Sequence, residues 1–193
     1  LPLRGRRIVL TRDAGSNKDS ANKVVALGGI PIPFENLRFR RLTESKEFLS
    51  ALSVLSSYDW LVFTSERGVD AFWDSISSLG KDARVLGHAR IACVGNETAA
   101  SLKRFGVHAD FIPSIHTGIE LAKQLIAGYD INRKKILLLR SAIAEPAVPD
   151  LLKAAGASVD DVACYTTESA GADPTDIITM LRDNKIDWVT FTS

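Results

Sequence analysis

The chain has few of the residues that mark several common classes of protein. It contains two cysteines, Cys93 and Cys164, which lie in apolar runs and so indicate reduced core thiols rather than a disulfide framework. The net charge of +1 argues against a broad nucleic-acid-binding face, which is usually strongly basic. No apolar run approaches the about 18 residues of a membrane span, and no signal peptide opens the sequence. We therefore expect a cytoplasmic protein that binds neither nucleic acid nor membrane.

The spacing patterns of familiar metal and nucleotide sites are also missing. The three histidines, His88, His108 and His116, show no metal-ligand spacing, and the cysteines form no CxxC pair. Residues 95–98 follow a predicted strand and open a predicted helix, but the sequence has neither a GxGxxG nor a Walker motif. We therefore expect no metal and no cofactor.

One segment occurs twice in the chain. The sequence DWLVFTS at residues 59–65 returns as DWVTFTS at residues 187–193, an offset of 187 − 59 = 128 positions. The same offset relates residues 7–12 to residues 135–140, and residues 26–28 to residues 154–156. This period is far longer than the roughly 20 to 50 residues of a solenoid repeat. The three matches therefore predict an internal duplication of a domain-sized half.

Strands and helices are predicted to alternate along the whole chain. Short apolar runs predict strands at residues 7–11, 60–63, 90–94, 135–139 and 186–191. Helical spacing predicts intervening helices, including one over residues 17–27 and one that begins with a capping box at residues 117–120. Pro31 and Pro33 make residues 30–34 a poor central strand. The pattern predicts an α/β fold with parallel sheets, and polar breaks near residues 35–42 and 166–173 predict the crossings between domains.

Polar residues follow the predicted strands at their carboxyl ends, where ligands bind in parallel α/β sheets. Hydroxyls, helix-opening amides and two arginines are found there, which suits an anion with several carboxylates or phosphates. The candidate substrate-binding residues are Arg12, Thr64, Ser65, Gly95, Asn96, Ser114, Arg140, Ser141, Thr192 and Ser193. Helix capping is an alternative explanation for each Ser and Thr among them, and both explanations stay open.

One predicted strand carries a pair of aspartates and a tyrosine that could serve in a site. Asp160 and Asp161 point to opposite sides of the strand, so they cannot share a proton. Tyr165 ends the same strand beside Thr166 and Thr167, near a predicted domain crossing. Its phenol could therefore face a cleft.

Several segments, taken in order, resemble the uroporphyrinogen-III synthase family. They are residues 7–12, 61–69, 93–99, 135–141, 165–167 and 188–193, so the resemblance covers essentially the whole chain. It implies two parallel-sheet α/β lobes joined by two crossing strands, with the active site in the cleft between them. The first lobe would be discontinuous (residues 1–34 and 169–193), the second would span residues 43–162, and residues 35–42 and 163–168 would be the crossings. The family continues past the second Thr-Ser, so we expect further residues after Ser193, and the start at Leu1 keeps a fusion open.

The resemblance also implies a lyase activity without a cofactor. The linear tetrapyrrole hydroxymethylbilane would lose water from its hydroxymethyl carbon to give an azafulvene, which would form a bond to the substituted carbon of the last pyrrole ring. The resulting spiro intermediate would fragment and reclose to uroporphyrinogen III with that ring inverted. Tyr165 matches the family's cleft tyrosine and would donate the proton to the leaving hydroxide, with Thr98 in support. The implied protein partner is hydroxymethylbilane synthase or a fused tetrapyrrole enzyme, and the protein itself would be a monomer. The alternative is a non-catalytic two-lobed binding or sensor protein for an anionic small molecule, whose sequence would look much the same.

Overall fold

The computed structural model describes residues 1–191 of the chain, in which helices and strands alternate except at two places, where two strands and later two helices follow each other directly. The strands are β1 (Arg7–Leu10), β2 (Ile30–Pro33), β3 (Leu37–Arg41), β4 (Trp60–Phe63), β5 (Arg90–Cys93), β6 (Lys135–Ser141), β7 (Ser158–Ser169) and β8 (Trp188–Thr190). The helices are α1 (Ala14–Ala26), α2 (Lys46–Ser53), α3 (Glu66–Ser78), α4 (Asn96–Lys103), α5 (Gly118–Gly128), α6 (Ala147–Ala154) and α7 (Thr175–Arg182).

The strands form two sheets that are dominated by parallel pairs. The three-stranded sheet has the order β2-β1-β8, and the five-stranded sheet has the order β3-β7-β6-β4-β5. β1 pairs in parallel with both of its neighbours, as do β4 and β6 with theirs. The predicted α/β class with parallel sheets is confirmed. β2 lies at an edge of its sheet. A strand with two prolines loses the fewest hydrogen bonds there, because proline has no amide hydrogen to donate to a neighbouring strand.

The chain divides into two compact units. The smaller unit contains Leu1–Arg40 and the chain from Thr167 onward, and the larger unit contains Arg41–Thr166. The chain passes from one unit to the other within β3 and within β7. The assignment of lobes and crossings given above stays a prediction.

The core of the larger unit is built on both faces of β4 and β6. Leu61, Phe63 and Leu139 pack with apolar residues of α3 on one face, while Val62 and Leu138 pack with α5 and α6 on the other. All five side chains are fully buried, which explains why these strands are continuous apolar runs. Burial of each such side chain stabilises the fold by about 1.5–3 kcal/mol.

In the smaller unit, α1 packs against β1 and β2 and begins earlier than predicted. The apolar spacing placed its start at Asn17, whereas the helix begins at Ala14. Residues 14–16 carry no apolar periodicity, so the pattern could not register this first turn. Asn17 is buried, and its side chain bonds the backbone of Arg12 through both its oxygen and its amide nitrogen.

Positions 128 residues apart have matching local geometry within their own units. Gly28 and Gly156 both follow a helix with positive φ, 84° and 89°. The Cα register pairs Arg7 with Ile30 and, at the same offset, Lys135 with Ser158. A duplication would produce such matches, although the duplication itself stays a prediction.

Candidate functional site

A cavity of about 380 Å³ lies in the larger unit at the carboxyl ends of β4 and β6, and we call it the β6 cavity. Its lining combines hydroxyls, the start of α5 and one arginine with a few apolar side chains. The lining residues are Thr64, Thr117, Gly118, Ile119, Arg140, Ser141, Ala144, Glu145, Ala147, Val148 and Tyr165. Four of the predicted site residues (Thr64, Arg140, Ser141 and Tyr165) therefore come together in one cavity, at the end of the sheet where ligands bind in this fold class.

An irregularity in the β6–β7 pairing places Tyr165 at the cavity. Arg140 is opposite Ala163, but the next residue, Ser141, is opposite Tyr165, so Cys164 is an extra residue in β7. Such bulges change the direction of the following side chain. Two hydrogen bonds hold the bulge: the Cys164 thiol donates to the Arg140 carbonyl at 3.4 Å, and the Ala142 amide donates to the Tyr165 carbonyl at 2.8 Å. Tyr165 is half-buried.

The amino end of α5 forms another side of the cavity. Thr117 caps the helix, since its hydroxyl accepts the Glu120 amide at 3.2 Å. The Glu120 carboxylate bonds Lys123 and Gln124, so only the first half of the predicted capping box is confirmed. The first amides of a helix have no acceptor within it and meet the positive end of its dipole, which favours an anion.

Close packing explains the glycine that follows this cap. A Cβ atom on Gly118 would lie 2.9 Å from Cγ2 of Val148 in α6. Gly118 therefore lets α5 and α6 approach each other beside the cavity. The sequence identified Thr117 only as a cap; the glycine directly after it was the available sign of a close approach.

Arg140 is held by a carboxylate that the sequence reasoning did not assign to the site. Its Nε and Nη2 atoms donate to the two oxygens of Asp161 at 2.6 and 2.5 Å, and its Nη1 donates to the Glu145 carbonyl at 2.5 Å. The neighbouring Asp160 instead accepts the Tyr58 hydroxyl at 2.6 Å. The two aspartates thus serve different partners, as their opposite directions along a strand require.

Ser65 and Ser114 lie outside the described lining of the β6 cavity. Ser65 caps α3, where its hydroxyl accepts the Gly68 amide at 3.1 Å. Ser114 is exposed, and both its amide and its hydroxyl lie within hydrogen-bond distance of the Gln124 side chain. Their binding roles stay predictions, and capping accounts for the position of Ser65.

The three candidates around the start of α4 also lie apart from that described lining. Gly95 is the residue before α4, and a Cβ atom there would lie 3.0 Å from the His116 ring. Asn96 is exposed and lines a second cavity of about 520 Å³ with Lys103 and His108. Thr98 is only 4% exposed. A side chain so deeply buried has little access to a substrate, and the supporting catalytic role of Thr98 stays a prediction.

The remaining candidates belong to the smaller unit. Arg12 is half-buried at the end of β1, and its backbone is held by Asn17. Thr192 and Ser193 lie outside the described residues, so their predicted roles have no structural description.

The two thiols are unsuited to nucleophilic chemistry. Burial raises the pKa of Cys93 to about 12 and that of Cys164, next to Tyr165, also to about 12. Both are therefore neutral thiols near pH 7, and it is the thiolate that attacks substrates or binds metals. Within residues 1–191, no group of three or more His, Cys, Asp and Glu side chains is arranged to hold a metal ion. None of the described helices has the length and apolar character to cross a membrane.

The parallel sheets define an α/β protein. The hydroxyls, the helix start and the tyrosine around its β6 cavity are groups that can donate hydrogen bonds to a small anionic ligand. The family described as uroporphyrinogen-III synthase HemD matches residues 18–193. This chain therefore belongs to the uroporphyrinogen-III synthase family.

Individual relatives agree with this membership. The porphyrin biosynthesis protein HemD of Ruminiclostridium josui is 29% identical over 192 residues, which cover 100% of this chain but 38% of that protein. The uroporphyrinogen-III synthase of Synechococcus elongatus is 27% identical over 196 residues, covering 100% of this chain and 72% of the relative. The chain thus spans well under half of the first relative and about three quarters of the second.

Solved structures show the same fold. A mutant uroporphyrinogen III synthase from Thermus thermophilus matches with a TM-score of 0.71 at 18% identity, over 98% of this chain and 73% of that one. The enzyme from Helicobacter pylori matches with a TM-score of 0.52 at 14% identity, over 90% and 67% of the two chains. At these identities the likeness concerns the fold alone.

Proposed function

We propose that this protein is a uroporphyrinogen-III synthase. It would cyclise hydroxymethylbilane to uroporphyrinogen III, inverting the last pyrrole ring and releasing water. The observation that carries the proposal is the β6 cavity of a family member, in which Tyr165, Thr64 and Ser141 lie with the start of α5. These groups supply what the reaction needs from the protein: a proton donor and donors for carboxylates.

The protein's main task in this reaction is to hold the substrate. The free bilane closes spontaneously to the uninverted isomer, so the enzyme has to bring the substituted carbon of the last ring to the electrophilic carbon. Holding two reacting groups in a near-attack geometry can lower a barrier by about 7–11 kcal/mol. We propose that the substrate carboxylates bind the hydroxyls of Thr64 and Ser141 and the first amides of α5, since helix N-termini favour anions.

Departure of water requires one proton. The Tyr165 phenol, at the edge of the cavity, is the proposed donor to the leaving hydroxide. General acid catalysis by a positioned side chain typically contributes about 10²–10⁴-fold to the rate. The pyrrole rings supply the electrons, so the proposed reaction uses no cofactor.

The chain's setting is also a proposal. We propose a monomer that works in the cytoplasm beside hydroxymethylbilane synthase, the enzyme that would supply the unstable bilane, or fused to another tetrapyrrole enzyme. The reactivity of the free bilane supports this arrangement, because a short path leaves less time for spontaneous closure.

The test is the isomer composition of the product. Freshly generated hydroxymethylbilane is incubated with and without the protein, expressed from its full native reading frame, and the products are oxidised and separated as type I and type III porphyrins. We expect type III in excess over the spontaneous type I. A product that is type I alone, with bilane binding retained, would identify a non-catalytic binding protein instead.

A further inference from the structure

We propose that Arg140 and Asp161 are positioning residues of this site, and that Arg140 is not itself a ligand for substrate carboxylates. Their ion pair would hold the rim of the β6 cavity and the bulge before Tyr165 in the reactive arrangement. This inference rests on the proposed synthase activity, and it assigns Asp161 to a site from which the sequence reasoning omitted it.

The pair has the geometry of a fixed structural contact. Arg140 is 7% exposed, and its Nε and Nη2 atoms meet Asp161 Oδ1 and Oδ2 at 2.6 and 2.5 Å. This is the bidentate arrangement in which arginine binds a carboxylate most strongly. A buried arginine needs such a partner, because an isolated charge in an apolar surrounding is strongly unfavourable. A substrate carboxylate would have to compete with Asp161 for the same fork.

Arg140 also contacts two segments beside the cavity, the loop between β6 and α6 and the strand β7. Its Nη1 atom donates to the Glu145 carbonyl at 2.5 Å, which holds the segment between β6 and α6. Its own carbonyl accepts the Cys164 thiol at 3.4 Å, on the bulge next to Tyr165. Asp161 lies three residues before that bulge on β7. A change in the ion pair would therefore shift both the segment between β6 and α6, which we call the rim of the cavity, and the backbone next to Tyr165.

The other copy of the predicted repeat lacks this arrangement. At the same offset, Arg12 corresponds to Arg140, Pro33 to Asp161 and Asn17 to Glu145. In the larger unit the arginine side chain bonds the backbone of Glu145, whereas in the smaller unit the Asn17 side chain bonds the backbone of the arginine, Arg12, at 3.1 and 2.7 Å. Because Pro33 occupies the position of Asp161, the repeat supplies this carboxylate beside Arg140, which lines the β6 cavity, and not at the position that corresponds to Arg12. This difference favours a task in the site over a requirement of the fold.

The two possible roles of Arg140 predict opposite effects on substrate affinity. If Arg140 bound substrate, Asp161→Asn would release its positive charge and lower KM. If the pair positions the site, Asp161→Asn leaves KM unchanged or raises it, and kcat falls. Misplacement of reacting groups by about 1 Å can reduce a rate about 10²-fold, so we expect a fall in kcat of at least tenfold. Arg140→Lys, which cannot form the fork, should give the same result.

The experiment compares kcat, KM and the type III fraction of the wild type, Asp161→Asn and Arg140→Lys, after subtraction of spontaneous type I product. The matched control is the exposed Arg104–Asp70 ion pair of the same unit, 2.5 Å, with the variant Asp70→Asn. A double variant, Arg140→Met with Asp161→Leu, removes both charges and should keep the fold, because apolar replacement of a buried pair is often tolerated. We expect it to be folded by thermal unfolding and still low in kcat.

The outcomes distinguish failure of the positioning role from failure of the proposed function. Wild-type kcat in Asp161→Asn or in the folded double variant would overturn the positioning role, and so would a lowered KM in Asp161→Asn. A wild-type protein that yields only type I would instead overturn the proposed function, and this inference with it.

Discussion

Asp59 and Asp187 lie 128 positions apart and make the same contact, each within its own unit. Asp59, just before β4, accepts the Lys135 amide at 2.8 Å, and Asp187, just before β8, accepts the Arg7 amide at 2.7 Å. A basic side chain one residue earlier joins each carboxylate: Lys134 at 3.1 Å and Arg6 at 2.9 Å. Each aspartate thus ties the start of its strand to the neighbouring parallel strand.

These contacts predict a loss of stability in acid. The pKa values of Asp59 and Asp187 lie below the ordinary value of 3.8. The main cause is the hydrogen bond from the backbone amide, and the basic side chain lowers each pKa further. A carboxyl whose pKa is lower in the folded state stabilises the fold above its unfolded pKa and loses this effect as the pH falls through the folded value. We expect urea unfolding to show stability falling below about pH 5. Asp59→Asn and Asp187→Asn should each make this fall shallower.

The exposed aspartate Asp19 on α1 provides the control. Asp19→Asn should leave the slope of unfolding free energy against pH unchanged. An equal effect of all three substitutions would show that the two contacts have no special part in the acid response.

Gly156 predicts a second, conformational effect. Its φ is +89°, and an added Cβ would lie 2.5 Å from Asn132 Oδ1. The left-handed conformation alone costs a non-glycine residue about 1–2 kcal/mol, so Gly156→Ala should lower the unfolding free energy by at least that amount. The double variant Gly156→Ala with Asn132→Ala should recover the steric part only. Full recovery would mean that the backbone conformation carries no strain.

The sequence predicted the polar lining that lies at strand ends. Thr64 follows a strand and Ser141 closes one, whereas the sequence pattern places Tyr165 at the end of a strand that in fact continues to Ser169. The carboxyl ends of adjacent parallel strands meet at one edge of a sheet. Their grouping therefore required only the α/β pattern, without any knowledge of strand order. The same reasoning listed Ser65, which the structure shows as a cap, because capping and binding use the same residue types.

The sequence could not predict the contacts that depend on strand order. Asp161 reaches Arg140 only because β7 lies next to β6 and both side chains are on the same face. Thr117 joins Thr64 across more than fifty residues because α5 covers that face of β4 and β6. Neither relation leaves a spacing signal. The bulge at Cys164 likewise arises from pairing, not from a local motif.

Close packing at Gly118 predicts an effect on the cavity. Gly118→Ala places a methyl group 2.9 Å from Cγ2 of Val148, a stiff β-branched side chain, so α5 and α6 have to separate. Overpacking of this kind costs about 1–3 kcal/mol. Because the amino ends of α5 and α6 both line the cavity, we expect KM for the bilane to rise as well. The control is Gly128→Ala at the other end of α5, where the added atom has nothing within 4 Å. It should neither raise KM nor lower stability.

The buried thiols predict slow chemical modification. Burial raises the pKa of Cys93 and Cys164 to about 12, so the native protein should react with an aromatic disulfide reagent only when the larger unit opens. We expect two thiols per chain to react at once in denaturant and neither to react rapidly in buffer. Rapid labelling of Cys164 in the native protein would show that the bulge next to Tyr165 opens locally.

Removal of the Tyr165 hydroxyl tests the proton donor directly. Tyr165→Phe keeps the ring that packs against the core, so thermal unfolding should stay near that of the wild type. Loss of general acid catalysis should lower kcat by about 10²–10⁴-fold, whereas KM should change little, because the carboxylate contacts come from other residues. Tyr129→Phe is the matched control, since Tyr129 is a half-buried tyrosine that packs on Trp60 outside the described lining of the cavity.

Turnover of Tyr165→Phe at the wild-type rate would remove Tyr165 from the chemistry and leave the proton to another donor, such as water. An equal loss in both variants would point to a packing effect of tyrosine hydroxyls in this unit, and would leave no catalytic role for Tyr165 either.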